Sequence, residues 1–160
     1  MDDCLVVNAS PLILLGRVDH LWLLERMSRQ IMVPQSVRLE IAAGQRRDVS
    51  CGKTLAWMEP YRTEDTSLSS SVEGWGLGAG ESQVVATALL HSGKAVLDDR
   101  MGRRCAKAHG LPVIGTLGVV LLSRRLDMIP SARTLLKAMR RQGLFIDDRM
   151  IEGVLIELGE

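Results

Sequence analysis

Short apolar runs alternate along this chain with stretches whose apolar residues recur every third or fourth position. The runs at residues 4–7, 30–33, 94–97 and 112–114 read as strands, and residues 61–66 as a weaker edge strand. Leu12, Leu15, Val18 and Leu21 mark one helical face, broken near Asp19 and His20, with residues 22–27 continuing it. Ser10-Pro11 reads as an N-cap followed by proline at the first helical position. Pro34 opens a second helix that ends near Gly44, and residues 54–58 read as helical after a polar, basic loop at 44–53. Residues 67–80, rich in serine and glycine, read as a long flexible connection, either functional or a solvated linker. The second half is more regular. Helices are predicted over 81–91, ended by Gly93, over 100–109, closed by Gly110, and over 117–125, 131–142 and 147–158. Strand-helix alternation of this kind predicts a parallel sheet covered on both faces.

Length and composition narrow the class. A chain of 160 residues with 46% hydrophobic and 24% charged positions suits one globular domain spanning 1–160. A formal net charge of +1 argues against a strongly basic nucleic-acid-binding domain but leaves room for a local patch. No apolar stretch is long enough to span a bilayer. The start, Met1-Asp2-Asp3-Cys4, has no basic segment leading into a cleavage site, so a cytoplasmic location is expected. Cys4, Cys51 and Cys105 are widely spaced and match no zinc pattern, which predicts reduced thiols within the fold.

Candidate chemistry lies in five acid or amide positions: Asn8, Glu40, Glu81, Asp98 and Asp99. In a parallel α/β sheet, ligands bind outside the carboxyl ends of the strands, where Asn8 and Asp98-Asp99 fall. Glu81 shares a helical stripe with Val84, Val85 and Ala88, so it points inward; it also stands in a first turn, where the helix dipole alone would account for an acid. Glu40 lies on the face of Val37 and Ala43. Of Asp98 and Asp99, one can cap the following helix while the other turns to the crevice, because alternation keeps them apart. Grouped carboxylates repel, and a hard cation with oxygen ligands, Mg²⁺ or Mn²⁺, relieves that repulsion. No serine or cysteine triad is visible, and His109 beside Gly110 reads as a helix-end residue.

Arg100, Arg103, Arg104 and Lys107 form a basic stripe directly after the two aspartates. It is either a solvated helix face or a set of phosphate contacts. Aromatic residues make up only 3% of the chain, so extensive base stacking is not expected. The apolar faces of the last two helices, with Leu135, Leu136 and Met139, then Ile151, Val154, Leu155 and Leu158, can pack on the core or on a second subunit.

Taken in order, Val6-Val7-Asn8-Ala9-Ser10-Pro11-Leu12-Ile13, Val33-Pro34 with Glu40, Gly78-Ala79-Gly80-Glu81-Ser82, Leu97-Asp98-Asp99-Arg100 and Gly110-Leu111-Pro112-Val113-Ile114-Gly115-Thr116 resemble the PIN-domain superfamily, nearest its prokaryotic toxin-like (VapC-like) branch. The resemblance covers nearly the whole chain. It implies a Rossmann-like three-layer α/β/α sandwich and a Mg²⁺- or Mn²⁺-dependent endoribonuclease, the toxin of a toxin-antitoxin pair, acting on RNA, partnered by a small antitoxin and forming a homo-oligomer such as a dimer. It implies Glu40, Glu81 and Asp99 as catalytic carboxylates, a metal held by these with Asn8 and with Asp98 not distinguished from Asp99, and nucleic-acid contacts from Ser10, Thr116 and the basic stripe. Two departures stand out. Asn8 replaces the usual aspartate, and Met101 stands where many relatives carry another acid, so weaker cation binding is expected. The other class of function that fits is a catalytically weakened PIN fold acting as an RNA-binding or protein-interaction module.

Overall fold

The computed structural model describes residues 2–160, and its centre is a five-stranded parallel sheet in the order β3-β2-β1-β4-β5. β1 (Asp2–Val7) occupies the middle, pairing with β2 (Ser28–Pro34) on one side and β4 (Lys94–Val96) on the other. Leu5, Val6 and Val7 are buried, as expected of a strand with helices on both faces. Leu5 sits beside Ile31 and Lys94, and Val7 beside Val96. β3 (Arg62–Thr63) and β5 (Val113–Ile114) form the edges.

The connections place the helices. From β1 to β2 the chain moves towards one edge through α1 (Ala9–Arg17) and α2 (Trp22–Met27). From β4 to β5 it moves towards the other edge through α7 (Arg100–Ala108). Right-handed crossovers in opposite directions put these helices on opposite faces. α6 (Ala79–His91) packs with α7, whereas α8 (Thr116–Arg125) and α9 (Ala132–Arg141) pack with α1. The result is a three-layer α/β/α sandwich, as the sequence predicts. Leu135, Leu136 and Met139 of α9, with Ile151 and Leu155 of α10 (Asp148–Glu157), are buried in the core.

Several local expectations change. α1 begins at Ala9 with Asn8, not Ser10, at the capping position. Pro11 is accommodated because no amide in the first turn has an intrahelical acceptor. The expected loop at 44–53 is shorter, since α3 (Gln35–Gly44) is followed by α4 (Ser50–Met58). Asp48 starts that helix by accepting from the Ser50 amide and hydroxyl, at 2.9 and 2.6 Å. Residues 67–80 are not one open connection. Ser69 caps the short α5 (Ser70–Glu73), and Val72 is buried beneath it. α6 ends on Ser92 in the left-handed conformation, one residue before the expected glycine. His109 does bond a helix-end carbonyl, that of Cys105 at 2.8 Å. All three cysteines are buried and unpaired, and burial raises each thiol pKa.

Candidate active site

The carboxyl edge of the sheet gathers Asn8, Glu40 and Glu81 from three elements. Asn8 follows β1 directly and is 3% exposed. Its backbone amide donates to the Val96 carbonyl at 3.1 Å, stitching the end of β1 to β4. Its side chain makes no capping bond to α1. Instead Nδ2 donates a long hydrogen bond, 3.4 Å, to Glu81 Oε1. Asn8 Oδ1 is buried and has no hydrogen-bond partner among the described residues. A buried acceptor left without a donor is costly, so this oxygen marks a place where something belongs.

Glu40 reaches the same place from α3. Its Oε1 accepts from the Gly80 amide at 3.1 Å, in the first turn of α6, where unpaired amides and the helix dipole favour an anion. A Cβ at residue 80 would lie 2.4 Å from Glu40 Oε1 and 3.2 Å from Asn8 Oδ1, so both oxygens converge on the one bare backbone position. Partial burial, and then the nearby Glu81 carboxylate, push the Glu40 pKa up, while the Gly80 amide opposes them.

The two aspartates, which follow the end of β4 at Val96, diverge, but the expected split between a capping acid and a crevice acid does not hold, because the acid that caps the next helix is also the one left near Glu81. Asp99 is the one that caps α7, its Oδ2 accepting from the Gly102 amide at 2.7 Å. It stays beside Glu81. A Cβ at Gly102 would lie 3.4 Å from Asp99 Oδ2 and 3.5 Å from Glu81 Cγ. Asp98 turns towards β5 and α8, accepting from the Thr116 amide at 2.7 Å and from its hydroxyl at 2.5 Å. Both oxygens of Asp98 are thus held by a single residue. Thr116 is fully buried with its hydroxyl spent on Asp98, so it can act on a nucleic acid only through that aspartate. Ser10 is exposed in the first turn of α1.

The basic stripe lies on the solvent side of α7. Arg100, Arg104 and Lys107 are exposed, and Arg103 is half-buried with Nη1 donating to the Leu97 carbonyl at 3.3 Å. A Cβ at Gly115 would lie 2.4 Å from Arg103 Nη1 and 2.9 Å from Asp98 Oδ1, so a bare glycine makes room for both. The four cations line one wall of a groove of about 680 Å³ whose other wall includes Val113, Ile114, Leu117 and Leu121.

Grouped carboxylates are relieved by a cation, so the donor set matters. Among the described residues, no three acidic, histidine or cysteine side chains come together as a ready cage. The set that does converge is two carboxylates and an amide oxygen, Glu40, Glu81 and the unpartnered Asn8 Oδ1. Oxygen-only donors suit Mg²⁺ or Mn²⁺, which keep several waters in their shell. The residues therefore fit such an ion. Their charge is lower than an all-carboxylate set would provide. Sequence reasoning did not single out Gly80 or Gly115, although both stand inside the motifs that carry the resemblance.

A parallel 3-2-1-4-5 sheet whose carboxyl edge gathers Asn8 and Asp99 from two strand ends and Glu40 and Glu81 from two helices defines a Rossmann-like α/β protein with a crevice lined by oxygen donors. A family model for the PIN domain matches residues 4–160, and the chain belongs to that family, whose fold is generally a nuclease fold. A similar solved structure is that of PAE2754 from Pyrobaculum aerophilum, with 18% identity and a TM-score of 0.53 over 72% of this chain and 92% of that one. That likeness speaks for the fold alone. No curated protein matches the chain.

Proposed function

We propose that this protein is a metal-dependent endoribonuclease that hydrolyses RNA phosphodiesters, acting as the toxin of a toxin-antitoxin pair. The observation that carries the reading is the buried, unpartnered Asn8 Oδ1, meeting Glu40 and Glu81 at the carboxyl edge of the sheet. Glu40, Glu81 and Asn8 would hold Mg²⁺ or Mn²⁺, with Asp99 beside Glu81 as a further carboxylate. A bound divalent ion there supplies an acidified water and neutralises charge on the phosphodiester. The chain's own groups do the positioning. The Gly80 amide holds Glu40, Asn8 Nδ2 holds Glu81, and the Gly102 amide holds Asp99 while leaving its other oxygen for the crevice. Asp98, braced by Thr116, orders the groove side of the site.

In this reading the protein acts in the cytoplasm, forms a dimer and is silenced by a small antitoxin. Three buried reduced thiols suit such a compartment. Among the described residues no helix is long and apolar enough to cross a membrane.

One observation favours a second reading. A neutral amide at position 8 lowers the charge available for a cation, which would suit a PIN fold kept for binding RNA or protein without cleavage. Manganese calorimetry together with an RNA cleavage assay separates the two. The nuclease reading expects Mn²⁺ binding near one per chain, tightened about tenfold or more by Asn8→Asp. It also expects Mn²⁺-dependent cleavage that Glu81→Gln lowers about a hundredfold or more. RNA binding with neither Mn²⁺ uptake nor cleavage, in wild type and Asn8→Asp alike, would establish the binding module instead.

A further inference from the structure

The aromatic residues are few and unevenly placed. Of three tryptophans and one tyrosine, Trp22, Trp57 and Tyr61 stand in one neighbourhood, at the amino edge of the sheet and away from the carboxylate crevice. α1 ends there, α2 begins there and leads into β2, and α4 ends there before β3. Between these helices lies a cavity of about 340 Å³, lined by the half-buried Trp22 and Trp57 with Leu21, and by Asp19, Glu25 and Lys53. The Tyr61 ring lies 4.8 Å from that of Trp57, and its hydroxyl donates to Glu25 Oε1 at 2.6 Å.

Asp19 breaks a local rule twice. α1 closes through the Asp19 amide on the Gly16 carbonyl and the His20 amide on the Leu15 carbonyl, with Asp19 in the left-handed conformation at φ 55. Glycine or asparagine ordinarily fills that position, and a carboxylate there meets the negative end of the helix dipole. Lys53 offsets little of this, since the two charged groups are 3.7 Å apart and both strongly exposed, at 79% for Asp19 and 78% for Lys53. Glu25 accepts from Tyr61 and, among the described residues, has no cation within ion-pair reach. Two acids beside two indole rings, against one loosely held ammonium, leave a local excess of negative charge on a chain of net charge +1. The indoles add to it, because the face of such a ring attracts cations.

We propose that this cavity binds a small quaternary ammonium compound of the choline type, held by the Trp22 and Trp57 rings and by the Asp19 and Glu25 carboxylates. A primary ammonium keeps a strong hydration shell and three donors to satisfy, and Lys53 accordingly stays at the rim in water. A trimethylammonium head has no donor to satisfy, and it spreads its charge over methyl groups that pack against indole. The volume stands at the small end of ligand cavities and suits such a head with a short tail. The proposal does not rest on the nuclease reading.

The test titrates choline into the protein at constant ionic strength, followed by calorimetry, and compares it with dimethylbutanol, the neutral isostere with carbon in place of the charged nitrogen. Choline should bind with a Kd of about 1 mM or tighter, and dimethylbutanol about tenfold or more weakly. Glu25→Gln, which keeps an acceptor for the Tyr61 hydroxyl, should weaken choline about threefold and leave dimethylbutanol unchanged. Trp22→Leu, which keeps an apolar wall, should weaken choline about tenfold. A thermal melt checks that both variants remain folded, and if Trp22→Leu does not, wild type and Glu25→Gln decide. No measurable choline binding, equal affinity for choline and dimethylbutanol, or choline affinity unchanged in the folded variants would overturn the proposal. A trimethyl-lysine peptide bound about tenfold more tightly than choline would overturn it too, because the cavity would then serve a protein partner.

Discussion

A methyl group at Gly80 would intrude on Glu40 Oε1 at 2.4 Å and on Asn8 Oδ1 at 3.2 Å, which makes this bare backbone position part of the site. Gly80→Ala should therefore push Glu40 off the amide that holds it, with little change to α6, where alanine is a better helix former than glycine. The expected outcome is Mn²⁺ affinity weakened about tenfold or more in calorimetry, with a melting temperature within a few degrees of wild type. A lost affinity accompanied by a large fall in stability would show instead that Gly80 serves packing. Residue by residue, the acids were legible unequally. Glu81 could be read because its helical spacing put it among Val84, Val85 and Ala88, and its bond from Asn8 now shows it facing the crevice. The division of labour between Asp98 and Asp99 could not be read, since both follow one strand and both suit a cap. Which one caps depends on Gly102 and Thr116, one on the next helix and one beyond the next strand. Asn8 was legible as a departure from an aspartate, but its unpartnered oxygen became visible only with Glu40 and Gly80 around it.

Among the elements, the second half of the chain was the easier to read because a glycine stands two residues beyond the end of every helix there except α8. Residues 44–80 were harder. α4 begins with Ser50, Cys51 and Gly52, a start with little apolar periodicity, and its first turn is set by the Asp48 carboxylate. That carboxylate is held down to about 2, first by the Ser50 hydroxyl and the Arg17 guanidinium and then by the Ser50 amide. The long connection after β3 was harder still, because a distant residue holds it down. Gln83, buried on α6, accepts from the Thr66 amide at 2.9 Å and donates to the Thr66 carbonyl at 2.8 Å. Nothing in the local sequence announces a side chain that completes another segment's backbone bonds. Gln83→Ala should leave both Thr66 groups in need of partners and destabilise the protein by about 2 kcal/mol in urea titration. Amide exchange should accelerate between residues 64 and 78 before it does in the sheet. Uniform exchange across the whole chain would mean that this segment opens only on global unfolding, and that Gln83 is not its anchor.

At the scale of the molecule, the parallel sheet and the three layers followed from alternation alone, because connection handedness leaves few ways to arrange them. The joining of the C-terminal helices to the rest did not follow from it. Glu160 lies beside the start of α9, accepting from the Ala132 and Arg133 amides at 2.9 and 3.0 Å, the Ser131 hydroxyl at 2.9 Å and Arg124 Nε at 2.8 Å. Its carboxylate thereby links α8 and α9 to the segment after α10. Burial acts to raise its pKa, yet the Arg133 and Ala132 amides, with Ser131 and Arg124, hold it down at about 2. A carboxyl whose pKa is lowered by folding binds fewer protons in the native state than in the unfolded chain. Its contribution is therefore complete above the ordinary value of 4.5 and fades as the pH falls towards about 2. Glu160→Gln should lower the melting temperature at pH 7 by roughly 3–6 °C, for a loss of about 1–2 kcal/mol. At pH 2 the gap between the two proteins should have narrowed by about half or more, because the native carboxyl is by then about half protonated and the advantage of its lowered pKa is mostly lost. A gap that stays constant from pH 7 to pH 2 would show that the glutamate holds α9 by its shape and hydrogen bonds alone, with its charge contributing nothing.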